Sequence, residues 1–201
     1  MLDSFVRDPW AGAGMLDAAE AVAAEMGATR EELDDLTALR WAQYAAGLAE
    51  DRAFQRRYQV PVELPQRKGT LTLATGEGVV RVLASGFARV AKSRMPQAPV
   101  PAALSALQTA GREITDVDAI TTHNPFAVND LYFARETGVK PEDMNAYGCS
   151  LVFGHPQGPT GLRSIAELIE TLRLRGGGVG LFTGCAAGDT GAALVVEVTD
   201  P

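Results

Sequence analysis

Two glycine-dense stretches near the carboxyl end, Asn145 to Gly161 (NAYGCSLVFGHPQGPTG) and Gly184 to Gly191 (GCAAGDTG), constrain this chain most. Each sets one titratable side chain, His155 or Cys185, where a backbone lacking Cβ atoms can approach a ligand closely. Imidazoles and thiols are the groups that neighbours can tune into acids and bases near neutral pH. Between the two stretches Leu162, Ile165, Leu168, Ile169 and Leu172 form a helix-period apolar stripe, closed by Arg173, Arg175 and three glycines. Val179 to Thr183 and Ala192 to Val198 are apolar and rich in β-branched residues, which predicts two strands flanking a Cys185 turn as a hairpin-like pair.

The rest of the chain alternates the two periods, which makes the fold class α/β. Met15 to Met26 is an alanine-rich helical run. Thr29 and Glu32 have the spacing of a capping box and predict a helix from Glu31 to about Leu48. Pro61, Pro65 and the polar stretch Gln66 to Gly69 break the pattern and divide the chain into a helical segment, 1–75, and an α/β domain, 76–201. In the second part Val79 to Ala84 and Val117 to Thr122 predict strands. Helices are expected from Pro101 to Ala110 and from Phe126 to Glu136, the latter ended by Gly138.

A hydrophobic content of 46% suffices for a buried core. Eighteen basic against 25 acidic residues give −7, with no Lys/Arg run beyond Arg56-Arg57, so the electrostatic footprint of a nucleic-acid or anionic-lipid binder is missing. No apolar run approaches the ~20 residues that span a bilayer, and the amino end lacks the basic-then-apolar plan of a signal peptide. The expectation is a cytoplasmic protein with neither nucleic-acid nor membrane partner. Cys149 and Cys185 are expected as free thiols, Cys149 as a packing residue. Glu31, Glu32, Asp34 and Asp35 read as a solvated helix face.

The two glycine-dense stretches carry a family resemblance. Asn145, Gly148, Gly154, His155, Pro156, Gly158, Thr160 and Gly161 match the thiolase pattern N-x-x-G-G-x-x-x-x-G-H-P-x-G-x-[ST]-G, with Cys149 in place of its second glycine. Cys185, Gly188 and Gly191 match the family's C-x-G-G-G-x-G turn, in which Asp189 replaces a glycine. His123-Asn124-Pro125-Phe126 resembles the H-D-C-F of sterol-carrier-type thiolases. The front of the chain, Ala19 to Asp35 and Ala38 to Ala46, resembles a thiolase helical segment, and Glu77-Gly78 its D-G-A turn. Together these resemble the carboxyl-terminal part of a thiolase, which implies a mixed β-sheet flanked by helices and preceded by a helical segment.

By that resemblance Cys185 is an acid/base, His155 orients and activates a nucleophile, and His123 with a water completes an oxyanion site. The backbone at Ala187 and Gly188 would supply a second oxyanion hole, and Asn124, Phe126, Gly154 and Pro156 would lie at the substrate. The substrate implied is CoA or an acyl-CoA, with no tightly bound cofactor and no metal. The family's amino-terminal part, which bears the nucleophilic cysteine, has no counterpart in this sequence. Three arrangements accommodate that: a hetero-oligomer in which a second thiolase-like chain supplies the nucleophile, a retro-aldol lyase subunit working without a covalent acyl-enzyme, or a non-catalytic structural or regulatory subunit.

Overall fold

The computed structural model describes residues 6–58 and 79–199. Pro61, Pro65, Gln66 to Gly69 and Glu77-Gly78 lie outside them. Helices α1 (Met15–Glu25) and α2 (Arg30–Gly47) are followed by a short helix, α3 (Ala49–Arg56). The capping box forms as expected: the Glu32 N–H donates to Thr29 Oγ1 at 3.2 Å, and the Thr29 N–H donates to Glu32 Oε2 at 2.8 Å.

The sheet comprises β1 (Val79–Arg89), β2 (Ala119–His123), β3 (Gly177–Ala186) and β4 (Thr190–Thr199) in the order β1-β4-β3-β2. β1 and β3 run antiparallel to β4, while β2 runs parallel to β3. Between β1 and β2 stands α4 (Pro99–Ala110), and α5 (Ala127–Thr137) follows β2. A single turn, α6 (Ser150–Phe153), then leads into α7 (Gly158–Leu174).

Strand periodicity of two gives the sheet two apolar faces. Ile120, Leu181, Ala193 and Val195 pack against Ala103 and Leu107 of α4 and Phe133 of α5. Ala119, Val196 and Val198 pack against Leu168 and Leu172 of α7. The alanines of α4 let that helix lie almost on the backbone of the sheet. A Cβ at Gly86 would fall 2.1 Å from the Ala102 carbonyl oxygen, and one at Gly191 2.4 Å from that of Ala98, so neither position accepts a side chain without moving the helix.

Several elements differ from their sequence outlines for local reasons. β1 continues to Arg89 through a bulge between Val82 and Ala84, which turns both Leu83 and Ala84 toward the α4 side. α4 begins at Pro99, which has no N–H to lose in the first turn. Leu162 belongs to the predicted stripe of α7 yet is 75% exposed. The largest difference concerns the hairpin: Cys185 pairs with Gly191 and Ala186 with Thr190, so Cys185 stands on β3 and only Ala187, Gly188 and Asp189 form the turn.

Candidate active site

Three side chains from separated parts of the sequence converge on one cavity of about 470 Å³: His123 at the end of β2, His155 between α6 and α7, and Cys185 near the end of β3. The imidazoles of His123 and His155 lie with ring centroids 4.1 Å apart. Met15, Met95, Phe126 and Phe182 supply most of the apolar wall.

Each of the three is held by a polar neighbour. Nδ1 of His155 lies 2.9 Å from Thr160 Oγ1, in the first turn of α7. Nδ1 of His123 lies 2.9 Å from Ser150 Oγ, at the start of α6. Asn129 Nδ2 donates to Cys185 Sγ at 3.4 Å. Burial pushes the Cys185 thiol up to about 12, since the Asn129 donor offsets only part of that effect. The sulfur rests as a neutral thiol. Burial, then the neighbouring His155, lowers His123 to about 4, and burial lowers His155. Both imidazoles are therefore neutral at pH 7, as suits two rings held so close together.

The depressed His123 predicts a pH effect on stability. Above about 6.5 the residue is neutral folded or unfolded; as pH falls from there to about 4 the unfolded chain takes up the proton first, and stability declines. The loss attributable to His123 is about 3 kcal/mol, complete near pH 4. Unfolding free energies measured across that window for wild type and His123→Gln should diverge in slope. Superimposable profiles would refute the assignment.

Beneath the histidines lies a buried polar network that sequence reasoning missed. Arg40 of α2, wholly buried, donates from Nε to Asp130 Oδ2 at 2.8 Å and from Nη1 to the carbonyls of Pro141 and Met144 at 2.8 and 3.0 Å. Its Nη2 stands 2.8 Å from the same carboxylate oxygen, off the line of a hydrogen bond. Asp130 also accepts from Thr122 Oγ1 at 2.6 Å, Asn145 Nδ2 at 3.1 Å and Asn124 Nδ2. Asn145 returns its Oδ1 to the Thr122 N–H at 2.8 Å. Two residues of the motif segments, Asn124 and Asn145, are thus tied to one buried ion pair.

The other residues expected at the site fall in different places. Asn124 is fully buried in that network and is not among the residues that line the cavity. Gly154 and Pro156 are exposed and lie outside the lining. They flank His155 on either side, and Gly154 has φ 83°. Phe126 and Ala187 do line the cavity. The Gly188 N–H is occupied, donating to Asp8 Oδ2 at 2.7 Å, so in this conformation it is not free to meet an oxyanion. Burial raises the Asp8 carboxyl, but backbone N–H groups of Ala11, Gly188 and Trp10 outweigh it and hold the group below its ordinary value. Asp189 braces the same turn: at φ 54° its carboxylate accepts from the Ser93 and Arg94 N–H groups at 3.0 and 2.9 Å. Cys149 is buried, with its thiol pushed up to about 12 by that burial.

Among the described residues no group of His, Cys, Asp and Glu is arranged to hold a metal ion, and no helix is long and apolar enough to cross a membrane.

Known proteins share this architecture. The family model for the thiolase C-terminal domain matches residues 77–198. An acetyl-CoA acetyltransferase of Synechocystis sp. is 25% identical over 250 residues, covering 98% of this chain and 63% of the relative. A 3-ketoacyl-CoA thiolase of Erwinia tasmaniensis is 32% identical over 256 residues, covering 93% and 58%. Among solved structures, human mitochondrial 3-ketoacyl-CoA thiolase superposes with a TM-score of 0.84 at 22% identity, covering 97% of this chain and 62% of that one. The chain thus spans about three fifths of the length of these relatives. With the family model covering more than half of its residues, the chain belongs to the thiolase family and has the fold of that family's carboxyl-terminal part.

Proposed function

We propose that this chain is the carboxyl-terminal, acid-base half of a thiolase-type acyltransferase acting on CoA thioesters, and that a second thiolase-like chain completes the pocket and brings the nucleophilic cysteine. The observation that carries this reading is the meeting of His123, His155 and Cys185 in one cavity whose lining reaches Ala192, beside the exposed apolar residues of β1. On the α7 side of β1, Val82 and Phe87 are 63% and 68% exposed. Ala192, the partner of Phe87 in β4, also lines the cavity. A polypeptide covering that face would close the pocket with the same surface.

The chemistry follows from the protonation states. A thiolate of the companion chain attacks the 3-keto carbon of a 3-oxoacyl-CoA, and the bond between C2 and C3 breaks. Acyl-enzyme and the carbanion of acetyl-CoA result. The neutral Cys185 thiol gives its proton to that carbanion, and the Cys185 thiolate then takes the thiol proton of an incoming CoA, whose sulfur attacks the acyl-enzyme. Products are acetyl-CoA and a shortened acyl-CoA, with both cysteines restored. Reversed, the same steps condense two thioesters. His155 and His123, the latter through a water, would meet the developing thioester oxyanion as neutral hydrogen-bonding partners, a reading supported by the closeness of their rings, 4.1 Å between centroids.

The test is reconstitution with a companion chain carrying a thiolase amino-terminal half. CoA-dependent cleavage of a 3-oxoacyl-CoA should appear only in the complex, and mass spectrometry after acyl-CoA treatment should find the acyl group on the companion. Turnover with no adduct would replace this reading by retro-aldol cleavage. A complex whose turnover ignores this chain's histidines and Cys185 would make the chain structural.

A further inference from the structure

In the polar chain that runs up to His123, one arrangement of protons gives Asn124, Ser150 and His123 Nδ1 a partner each. Its starting point is the ion pair. The Asp130 carboxylate facing Arg40 can only accept, so the side of Asn124 that meets it must be the amide NH₂. This fixes the amide orientation, and Asn124 Oδ1 faces Ser150 as an acceptor. Ser150 has a single hydroxyl proton and two candidates for it: Asn124 Oδ1 at 3.3 Å and His123 Nδ1 at 2.9 Å.

Bond length alone favours the histidine, and the balance of donors favours the amide. If the hydroxyl turned to His123, Asn124 Oδ1 would lose that donor in a fully buried place, since the amide's contact with Cys149 runs from the NH₂ toward the sulfur. If the hydroxyl donates to Asn124 Oδ1, its lone pairs accept from the Asn124 N–H at 3.1 Å and from a protonated His123 Nδ1, and no atom is orphaned. We propose that Ser150, oriented by Asn124 and Asp130, is a positioning residue that holds His123 in the Nδ1–H tautomer and leaves Nε2 as a bare acceptor on the cavity side.

An acceptor at that point cannot itself donate to an oxyanion. It can take one O–H of a water, which then points its other O–H at the thioester oxygen. That use of the lone pair rests on the thiolase reading above, whereas the tautomer does not. Asn124 accordingly acts through Ser150 rather than on substrate, although its neighbour His123 lines the cavity.

The experiment is nitrogen NMR on the ¹⁵N-histidine-labelled full chain, read through long-range proton–nitrogen correlations at pH 7. The chain has two histidines, and a His155→Asn variant leaves one, so the His123 signals are unambiguous. Expected is a protonated Nδ1 and a bare Nε2, with the Nδ1–H form favoured by about tenfold or more. Ser150→Ala should move the proton to Nε2, and Ser150→Thr should move it back. A wild-type spectrum showing Nε2–H, or a tautomer unchanged in Ser150→Ala, overturns the proposal. Should Ser150→Ala not fold, the wild-type spectrum decides alone. In the reconstituted complex Ser150→Ala should lower kcat by about tenfold with KM little changed, as expected for loss of a group that acts in the transition state. A complex without thiolysis sinks the acyltransferase reading and leaves the spectral result standing.

Discussion

Arg40→Ala is expected to cost about 3–5 kcal/mol, the effect of leaving a buried charge without its partner. Asp130 is 1% exposed and Arg40 0%, so water cannot replace the guanidinium. The Pro141 carbonyl would also lose its side-chain donor, while the Met144 carbonyl would keep Gln43 Nε2, so the tie between α2 and the segment joining α5 to α6 would be weakened. The measurement is the shift of the urea midpoint at constant slope. Arg30→Ala, which removes an exposed helical ion pair with Asp34, serves as the control and should cost no more than about 0.5 kcal/mol. If the two variants unfold at the same urea concentration, the network is not what anchors α2 to α5.

In the reconstituted enzyme Cys185→Ala should lower turnover by about 10²–10⁴-fold, the usual worth of a positioned acid-base group. Cys185→Ser is the sharper variant. It keeps the shape and a hydrogen-bonding atom beside Asn129 but offers a hydroxyl that does not titrate in the working range, so it should lose nearly as much. Association with the companion chain should be unchanged in both, because the sulfur is buried inside this chain and not on the exposed sheet face. Serine activity close to wild type would mean that Cys185 packs against Met95 and Ala18 and moves no proton.

How much of this was legible in the residues varied with the physics of each part. Helices were readable where local rules apply: the Thr29–Glu32 box starts α2, and Gly138, at φ 74°, ends α5. Strand extents were less so. β1 outlasts its apolar run because pairing with β4, which no local pattern reports, carries it to Arg89. The same pairing puts Cys185 on a strand, since Gly191 opposite it remains in register where glycine content suggested a turn.

The candidate site divides along the same line. His123, His155 and Cys185 were found because each sits in a motif a few residues long, and the three do share a cavity. Asn124, expected at the substrate from the same kind of motif, is fully buried in the polar network with Asp130. Arg40, Asp130 and Ser150 carried no signal: a lone arginine in a polar helix reads as a solvated residue until a carboxylate 90 positions away proves to face it.

The order of residues alone determined the helices with their caps, the apolar periods that make two sheet faces, and the identity of the three titratable groups, because hydrophobic spacing, capping and motif chemistry are encoded within a few positions. Only the tertiary structure decided which of them meet, how far burial displaces their protons, and which polar groups complete one another. Those depend on desolvation and on contacts between residues far apart in the chain, such as Arg40 with Asp130 and Asn129 with Cys185, which come into being when the chain packs.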